Sequence, residues 1–423
     1  MSILKKLGAK IDVTFQHRAK DLTKLCCQLV QAKSENPPGD VTEAAHVIEN
    51  FLETEGINYQ TFEPAKGHVS IVTTLGRGKP SLILCGHIDV VPAGNLSKWD
   101  FPPYGGLIKH DKIQGRGTTD QKGGVSAMLM AIAALKDFEE SLTGKVTFAC
   151  VSDEEAPGSG GAKWLLKNKK LNGNACIITE PTGHLDGEYS IVGGERGNCW
   201  LRITAYGKPA HGSTPALGRN AINMLTEFLP SLKALESEAV RIPKDAETLI
   251  QNGRKQMWKT AEKQGVPASS LTRALNHYTT NLGLINGGTK VNIVPEKCAA
   301  EVDIRVPAGG NPDAVEGLVC SVMPENFECQ VINKVFPSFT PATHPLTKTV
   351  QQSAKRVFGY KPSATYMAYT SDAHYFREIV GVPTVSFGPG YNELTHAYNE
   401  FVYTKDILNM AKVYADIIVN LST

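Results

Sequence analysis

No two cysteines in the sequence have the CxxC spacing, although the chain of 423 residues contains nine cysteines. The number is odd, and most of these residues lie in apolar segments typical of strands, such as TFACVSDE and ACIITE. A disulfide framework is therefore not indicated. We expect the cysteines to be small buried hydrophobic side chains in a reducing compartment.

The sequence also lacks a long apolar run and a large excess of charge of either sign. No segment approaches the ~18 uninterrupted apolar residues of a membrane span. The first residues, MSILKKLGAKIDVTFQHRAKDL, lack the apolar core of a signal peptide. The formal net charge is +2, which does not indicate a surface that binds nucleic acid. These absences predict a cytoplasmic protein without a membrane or nucleic-acid partner.

Apolar segments of strand length alternate with helical segments in the first part of the chain. Residues 81–85, 145–151 and 175–179 form short apolar runs, and residues 121–138 carry apolar side chains at helical spacing. Nearly continuous apolar strands between helices are typical of a sheet covered on both faces. We therefore predict an α/β fold with a mixed, largely parallel sheet flanked by helices.

The pattern changes near residue 192, where strands with one exposed face begin. The predicted elements then follow the order β-α-β-β-α-β, which is a split βαβ unit of the ferredoxin-like α+β kind. A polar, helix-like segment at 232–279 elaborates this unit. We predict an inserted domain at 192–337, between two parts of one catalytic domain at 1–191 and 338–423.

The first motif with possible chemistry is CGHIDVVP, which follows an apolar strand. His87 and Asp89 are two residues apart, so in an extended segment their side chains point to the same side. The carboxylate of Asp89 could accept the second ring N–H of His87, as carboxylates do for zinc-bound histidines. A loop histidine with ordinary hydrogen bonds explains this motif equally well.

Two further motifs carry acidic side chains at predicted element ends. Asp120 lies in GRGTTDQKGG, before a helix, where an N-cap is the simpler explanation. The motif is not a phosphate-binding loop, because no GK[ST] follows. Glu154 and Glu155 lie in VSDEEAPGSGG, and adjacent carboxylates repel unless a cation or proton intervenes. Glu155 could hold a metal while Glu154 acts as general base, or both could be solvated in a surface turn.

Three more residues complete the set. Glu180 ends an apolar strand in IITEPTG, and His211 lies in KPAHGSTP within the predicted insert. His396 lies in ELTHAYNEF before the last helix, where a cap by Thr395 is the structural alternative. Two histidines and three carboxylates supply enough ligands for two zinc ions bridged by one carboxylate. These five predicted ligands are His87, Asp120, Glu155, Glu180 and His396.

The motifs CGHIDVVP, GRGTTDQKGG and SDEE, in this order, closely resemble those of the co-catalytic zinc aminoacylase and carboxypeptidase family. The resemblance covers nearly the whole chain, and the family includes acetylornithine deacetylase, succinyl-diaminopimelate desuccinylase and bacterial glutamate carboxypeptidase. It implies a zinc-exopeptidase-like catalytic domain and an inserted lid domain through which a homodimer forms. It also implies two zinc ions in each subunit, for which cobalt or manganese could substitute.

The same resemblance implies a role for each metal ligand. His87 and Glu180 bind one zinc ion, Glu155 and His396 bind the other, and Asp120 bridges the two.

Catalytic and substrate-binding roles are implied in the same way. Glu154 is the general base and Asp89 orients the zinc-bound histidine of its motif. His211 reaches from the insert into the partner subunit's active site and stabilises the oxyanion. The substrate-contacting residues that the resemblance implies are Asn292, Arg305, Gly388 and Gly390.

The predicted activity is hydrolysis of the amide bond of a small N-acyl amino acid by a metal-bridging water. The segment TSDAHYF departs from the family, because Ala373 and His374 stand where Gly-Arg is frequent, and this weakens the case for a succinyl-diaminopimelate substrate. A dipeptidase or carboxypeptidase of the same fold is the main alternative. An inactive metal-binding regulatory protein would need a missing ligand or base. A nucleotide-binding enzyme would need a strand–GxGxxG–helix context.

Overall fold

The computed structural model describes residues 3–156, 160–237 and 239–421. Within this part of the chain the helices, in chain order, are α1 (Ile3–Gln31), α2 (Thr42–Thr54), α3 (Gly123–Leu135), α4 (Ala162–Lys167), α5 (Ala221–Phe228), α6 (Glu247–Gln264), α7 (Ala268–Thr272), α8 (Pro312–Val322), α9 (Pro345–Phe358), α10 (Ala373–Ile379) and α11 (Thr404–Leu421).

The strands, numbered in the same way, are β1 (Tyr59–Phe62), β2 (Ser70–Gly76), β3 (Ser81–His87), β4 (Leu107–Lys109), β5 (Lys112–Gln114), β6 (Lys145–Val151), β7 (Ala175–Gly183), β8 (Ser190–Glu195), β9 (Gly197–Tyr206), β10 (Thr279–Gly287), β11 (Lys297–Val306), β12 (Phe327–Val335), β13 (Ser338–Phe339), β14 (Ser363–Met367), β15 (Thr384–Tyr391) and β16 (Phe401–Tyr403).

Contacts along the chain divide the described residues into two compact units. The first comprises residues up to 193 together with 340–365 and 371 onward, and the second comprises 194–339 and 366–370. The domain boundaries that we placed at 192 and 337 remain a prediction of domain organisation.

The first unit is built on a large mixed sheet in the strand order β1-β2-β6-β3-β7-β15-β8. Its central strands β6, β3, β7 and β15 run parallel to one another, and antiparallel strands extend the sheet on both sides. Every residue of β3 is buried, because helices cover both faces of a parallel sheet. The prediction of a mixed, largely parallel sheet flanked by helices is confirmed.

Helices α1, α3, α9 and α11 pack together on one face of this sheet and share the largest hydrophobic core. Helices α4 and α10 contribute to a smaller core on the other face. The core helix α3 is buried along its whole length and begins at Gly123, after a wide turn at Thr118–Lys122. Helix α4 is short and ends at Lys167, and the backbone becomes left-handed at Lys169, with φ 56°.

The second unit contains a four-stranded antiparallel sheet in the order β10-β11-β9-β12. Helices α5 and α8 pack on this sheet, and their apolar side chains join those of β9 and β11 in a separate core. The sequence order β9-α5-β10-β11-α8-β12 with this strand order is the ferredoxin-like arrangement that we predicted. Helices α6 and α7 form most of the helical elaboration at 232–279. A role of this unit in dimerisation remains a prediction.

All nine cysteines are free, and six of them are buried. No helix in the described ranges is long and apolar enough to cross a membrane.

Candidate metal centre

Polar side chains gather at the carboxyl ends of neighbouring strands in the first unit. Strand β3 ends at His87, Glu154 and Glu155 follow the end of β6, and Glu180 lies in β7. Strands β6, β3 and β7 are adjacent and parallel, so these side chains lie at one edge of the sheet. Open α/β sheets bind their ligands at this edge.

Asp120 stands between two histidines in this cluster. Its Oδ1 lies 3.2 Å from His87 Nε2, and its Oδ2 lies 3.4 Å from His396 Nε2. His396 Nε2 is also 3.1 Å from Glu155 Oε2, and His87 Nε2 is 3.9 Å from Glu180 Oε1. The structure therefore brings all five predicted metal ligands together, with one carboxylate oxygen of Asp120 facing each histidine.

The orientation of His87 is fixed by a backbone carbonyl rather than by the carboxylate that we predicted. His87 Nδ1 lies 2.9 Å from the carbonyl oxygen of Asp89 and 3.6 Å from the nearer carboxylate oxygen of the same residue. A carbonyl oxygen can only accept, so Nδ1 carries the proton and donates it. The lone pair of Nε2 is left to face the cluster.

The carboxylate of Asp89 instead holds the acidic pair in place. It is fully buried and accepts hydrogen bonds from the backbone N–H groups of Glu154, at 3.2 Å, and Glu155, at 3.0 Å. The side-chain amide of Asn36 donates a third hydrogen bond at 2.9 Å. The geometry thus gives Asp89 a positioning role on the two glutamates as well as on the histidine ring.

The structural alternatives for three motifs are not supported. Lys122, and not Asp120, occupies the cap position of α3. The side chains of Glu154 and Glu155 are only 15% and 5% exposed, so they are not solvated in a surface turn. Helix α11 begins at Thr404 after strand β16, so Thr395 lies too far from the helix to cap it.

Comparison with known proteins identifies the family. The sequence profile described as Peptidase family M20/M25/M40 matches residues 83–420. The chain belongs to this family. The "Probable succinyl-diaminopimelate desuccinylase" of Staphylococcus aureus (strain MRSA252) is 26% identical over 398 residues, which cover 90% of this chain and 93% of the relative.

Solved structures share the fold of this M20/M25/M40 member. An M20 family metallo-carboxypeptidase from Sulfolobus solfataricus superposes with a TM-score of 0.81 at 23% identity, covering 93% of this chain and 97% of that one. Human carnosine dipeptidase 1 superposes with a TM-score of 0.73 at 18% identity, covering 99% and 100%. Family membership and the desuccinylase relatives make this chain a metal-dependent amidohydrolase.

The electrostatics of the cluster favour a bound cation. Burial raises the pKa of Glu154 well above its ordinary value, and the charge of Glu180 adds to this rise, although His87 opposes it. Burial and the charge of Asp120 also raise the pKa of Glu155. Hydrogen bonds to Asp120 and then to Glu155 raise the pKa of His396 to about 10. Crowded carboxylates thus draw protons onto the histidine, and a metal ion can replace that positive charge.

The donor atoms also fit a transition-metal site. Single ligand atoms of His87, Asp120 and Glu155 all lie within 4.8 Å of one another. Glu155 Oε1 is buried and has no hydrogen-bond partner among the described residues, which is costly unless an ion satisfies it. Imidazole and carboxylate ligands suit zinc, and also cobalt or manganese.

The predicted substrate contacts of the second unit lie mostly on its surface. His211 is exposed, and its Nδ1 lies 2.7 Å from the hydroxyl of Ser213. Asn292 is exposed next to it, and its carbonyl oxygen accepts a hydrogen bond from Gly212. Arg305 donates from Nε to Asp303 at 2.8 Å and keeps about a quarter of its side chain exposed, at 27%.

The two predicted substrate-loop glycines lie in β15 of the first unit. A Cβ on Gly388 would stand 2.1 Å from the carbonyl oxygen of Thr179, so the close approach of β15 to β7 requires glycine there. Gly390 has φ 92°, which also favours glycine. Gly388 is thus explained by backbone packing beside Glu180, and Gly390 by its left-handed conformation. Contact of either glycine with substrate remains a prediction.

Sequence reasoning missed the residues that support the candidate site through hydrogen bonds to its loops. Asn36 precedes the turn PPGD, Arg116 lies four residues before Asp120, and Glu400 lies four residues after His396. Nothing in the local pattern distinguishes these side chains from ordinary loop residues. Their positions within or beside the metal motifs were the one available signal.

Proposed function

We propose that this chain is a two-metal hydrolase that cleaves the amide bond of a small N-acyl amino acid. The observation that carries the proposal is the carboxylate of Asp120, which presents one oxygen to each of two histidines. Glu155 and Glu180 complete the two ligand sets. Two bound zinc ions would lower the pKa of a water between them and polarise the scissile carbonyl. The desuccinylase names of the relatives support a deacylase.

Glu154 is the general base of the proposed reaction. Its Oε2 lies 3.9 Å from His87 Nε2, so the carboxylate reaches the edge of the ligand cluster. Burial raises its pKa, which brings a carboxylate closer to the pH at which proton transfer is efficient. Glu154 accepts a proton from the attacking water and then delivers it to the leaving amine.

The second unit supplies the groups that recognise the rest of the substrate. The guanidinium of Arg305 suits a substrate carboxylate, because its planar N–H groups can donate two parallel hydrogen bonds. The exposed ring of His211 can donate to the oxyanion that develops on the carbonyl oxygen. Asn292 and the backbone at Gly388 and Gly390 provide further polar contacts in this proposal.

A metal titration with a substrate panel tests the proposal. The metal-free protein is titrated with zinc or cobalt and assayed against N-acetyl and N-succinyl amino acids and dipeptides. We expect activity to appear with metal and to saturate near two equivalents for each chain, because the ligand set has two halves around Asp120. A protein that binds no metal, or that is equally active without metal, would contradict the proposal.

A dipeptidase or carboxypeptidase is the second candidate, and one observation favours it. His374, which stands where the family often has arginine, is buried, and its Nδ1 lies 2.6 Å from the carbonyl oxygen of Ser371. Burial lowers its pKa to about 4, so the ring is neutral near pH 7. Without a guanidinium there, a substrate that carries an extra carboxylate loses a partner. Faster turnover of dipeptides than of N-succinyl amino acids in the panel would select this candidate.

We propose further that the chain acts as a homodimer through its second unit. The edge strand β10 exposes a group of apolar side chains, and unpaired strand edges invite a second chain. These exposed side chains are Leu282, Leu284 and Ile285. In such a dimer His211 of one subunit would serve the metal centre of the other.

Mixing two inactive variants tests this arrangement. Glu154→Gln lacks the base and His211→Ala lacks the oxyanion donor, so each alone is expected to be nearly inactive. After joint refolding, random pairing should restore about a quarter of wild-type activity, because half of the dimers are mixed and each has one complete site. A histidine that acts within its own subunit gives no recovery. The control is Glu154→Gln protein refolded alone by the same procedure, which should recover no activity.

A further inference from the structure

A buried carboxylate outside the ligand cluster connects the two loops that carry Asp120 and His396. Glu400 is fully buried, and its Oε2 lies 2.7 Å from Nη1 of Arg116, which is itself 3% exposed. Because burial of a charge is costly unless it is paired and hydrogen-bonded, an ion pair in this position needs further partners. Both side chains have them.

The partners of Glu400 are backbone groups of the loop that carries Asp120. Oε1 accepts hydrogen bonds from the N–H groups of Thr119, at 2.8 Å, and Asp120, at 3.1 Å. Oε2 accepts another from the N–H of Gly117 at 3.0 Å. One carboxylate therefore holds three amides of a single turn and fixes the backbone position of the shared ligand.

The partners of Arg116 belong to the other loop. Nη1 donates to the carbonyl oxygen of Ala397 at 3.1 Å, and Nη2 lies 3.5 Å from the carbonyl oxygen of His396. His396 has φ 59°, a left-handed conformation that persists in a non-glycine residue only when the surroundings impose it. The guanidinium also lies over the ring of Trp99, at 5.2 Å from the centroid.

The backbone positions of the other two ligands do not depend on this ion pair. His87 is placed by strand β3 and by its hydrogen bond to the Asp89 carbonyl. The backbone of Glu180 is placed by strand β7. Its side chain accepts a hydrogen bond at 2.6 Å from Nε2 of Gln121, the residue after Asp120. The two halves of the candidate metal centre are therefore supported in different ways.

We propose that Glu400, acting through Arg116, is a positioning residue that sets the separation between Asp120 and His396. It thereby controls the affinity of the metal position that these two residues share with Glu155. This inference rests on the proposed two-metal centre. Glu400 contacts neither substrate nor metal, and its effect passes through the backbone of the two loops.

Glu400→Gln is the variant that tests this inference. An amide has one acceptor oxygen, and either orientation turns its NH₂ group toward two of the donors that the carboxylate now satisfies. We expect the position of His396 and Glu155 to weaken by about 10- to 100-fold. The position of His87 and Glu180 should weaken less, because it shares only Asp120 with the two loops that Glu400 connects. Calorimetric titration with zinc measures both affinities, and absorption of the cobalt-loaded protein reports the altered coordination.

Two ligand variants identify which position has changed. His396→Ala removes a ligand of the affected position, and Glu180→Ala removes a ligand of the other. The zinc titration and cobalt spectrum of Glu400→Gln should resemble those of His396→Ala. Asp406→Asn is the matched control, because Asp406 is a buried carboxylate of the same unit that pairs with Tyr391, and it should leave both affinities unchanged.

The outcomes separate the inference from the proposed function. If Glu400→Gln weakens both positions equally, the cause is a general loss of structure and the positioning role of Glu400 is wrong. The role is also wrong if the variant weakens neither position. If Glu400→Gln does not fold, Glu400→Asp keeps the charge with a shorter reach, and it should weaken the same position to a smaller extent. Wild-type protein that binds fewer than two metal ions would instead defeat the proposed centre itself.

Discussion

Replacement of Glu154 by glutamine is expected to lower kcat by about 10²- to 10⁴-fold, which is the usual contribution of a general acid–base residue. Glutamine retains the size of the side chain but cannot accept and return a proton. Because Glu154 is not one of the five proposed ligands, the variant should still bind two metal ions. Steady-state kinetics and metal analysis on the same preparation measure both quantities.

The neighbouring acid provides the control for this prediction. The carboxylate of Asp153 faces His68, 3.6 Å away, and accepts the N–H of Gly160, at 2.9 Å. Asp153 has φ 65°, a conformation that asparagine also tolerates. Asp153→Asn should therefore leave kcat close to that of the wild type. Full activity of Glu154→Gln with both metals bound would show that another group is the base.

Replacement of Asp120 by alanine is expected to have the largest effect of any single ligand variant. Both histidines lose the carboxylate oxygen that faces them, so both metal positions lose a shared ligand at once. The rate of hydrolysis by the variant should then approach the uncatalysed rate. Enzymes typically exceed that rate by at least about 10⁶-fold, so we expect the activity of Asp120→Ala to lie at the limit of detection. Metal content and kcat/KM are the measurements.

Asparagine at the same position provides a graded comparison. The amide keeps one oxygen that can bind a metal ion and replaces the other with a nitrogen that cannot. Asp120→Asn should therefore retain more metal than Asp120→Ala and less than the wild type. If Asp120→Ala still holds two equivalents and remains active, the carboxylate does not bridge the two positions.

The apolar strands made the central sheet predictable from the sequence. Strands such as β3 and β6 are buried on both faces, so their composition alone identifies them. Strands β1, β4 and β16 were missed, because they are short and their side chains are only partly apolar or buried. Their formation depends on the strand that lies beside each of them.

The candidate ligands were predictable for a different reason. Each lies in a short motif after a strand or before a helix, and the order of the motifs is distinctive. The supporting contacts were not predictable in this way, because Arg116 and Glu400 are 284 positions apart in the sequence. Local spacing also misassigned the atom that orients His87, since the carbonyl and the carboxylate of Asp89 cannot be distinguished without coordinates.

The pairing of Arg116 with Glu400 has a consequence for the order in which the protein becomes active during synthesis. The loop that carries Asp120 leaves the ribosome long before the residues that hold it in place. A nascent chain that ends before His396 lacks one proposed ligand and also lacks the carboxylate that positions another, Asp120. Synthesis must therefore pass Glu400 before the proposed metal centre can assemble, and a shorter nascent chain is expected to be hydrolytically inert.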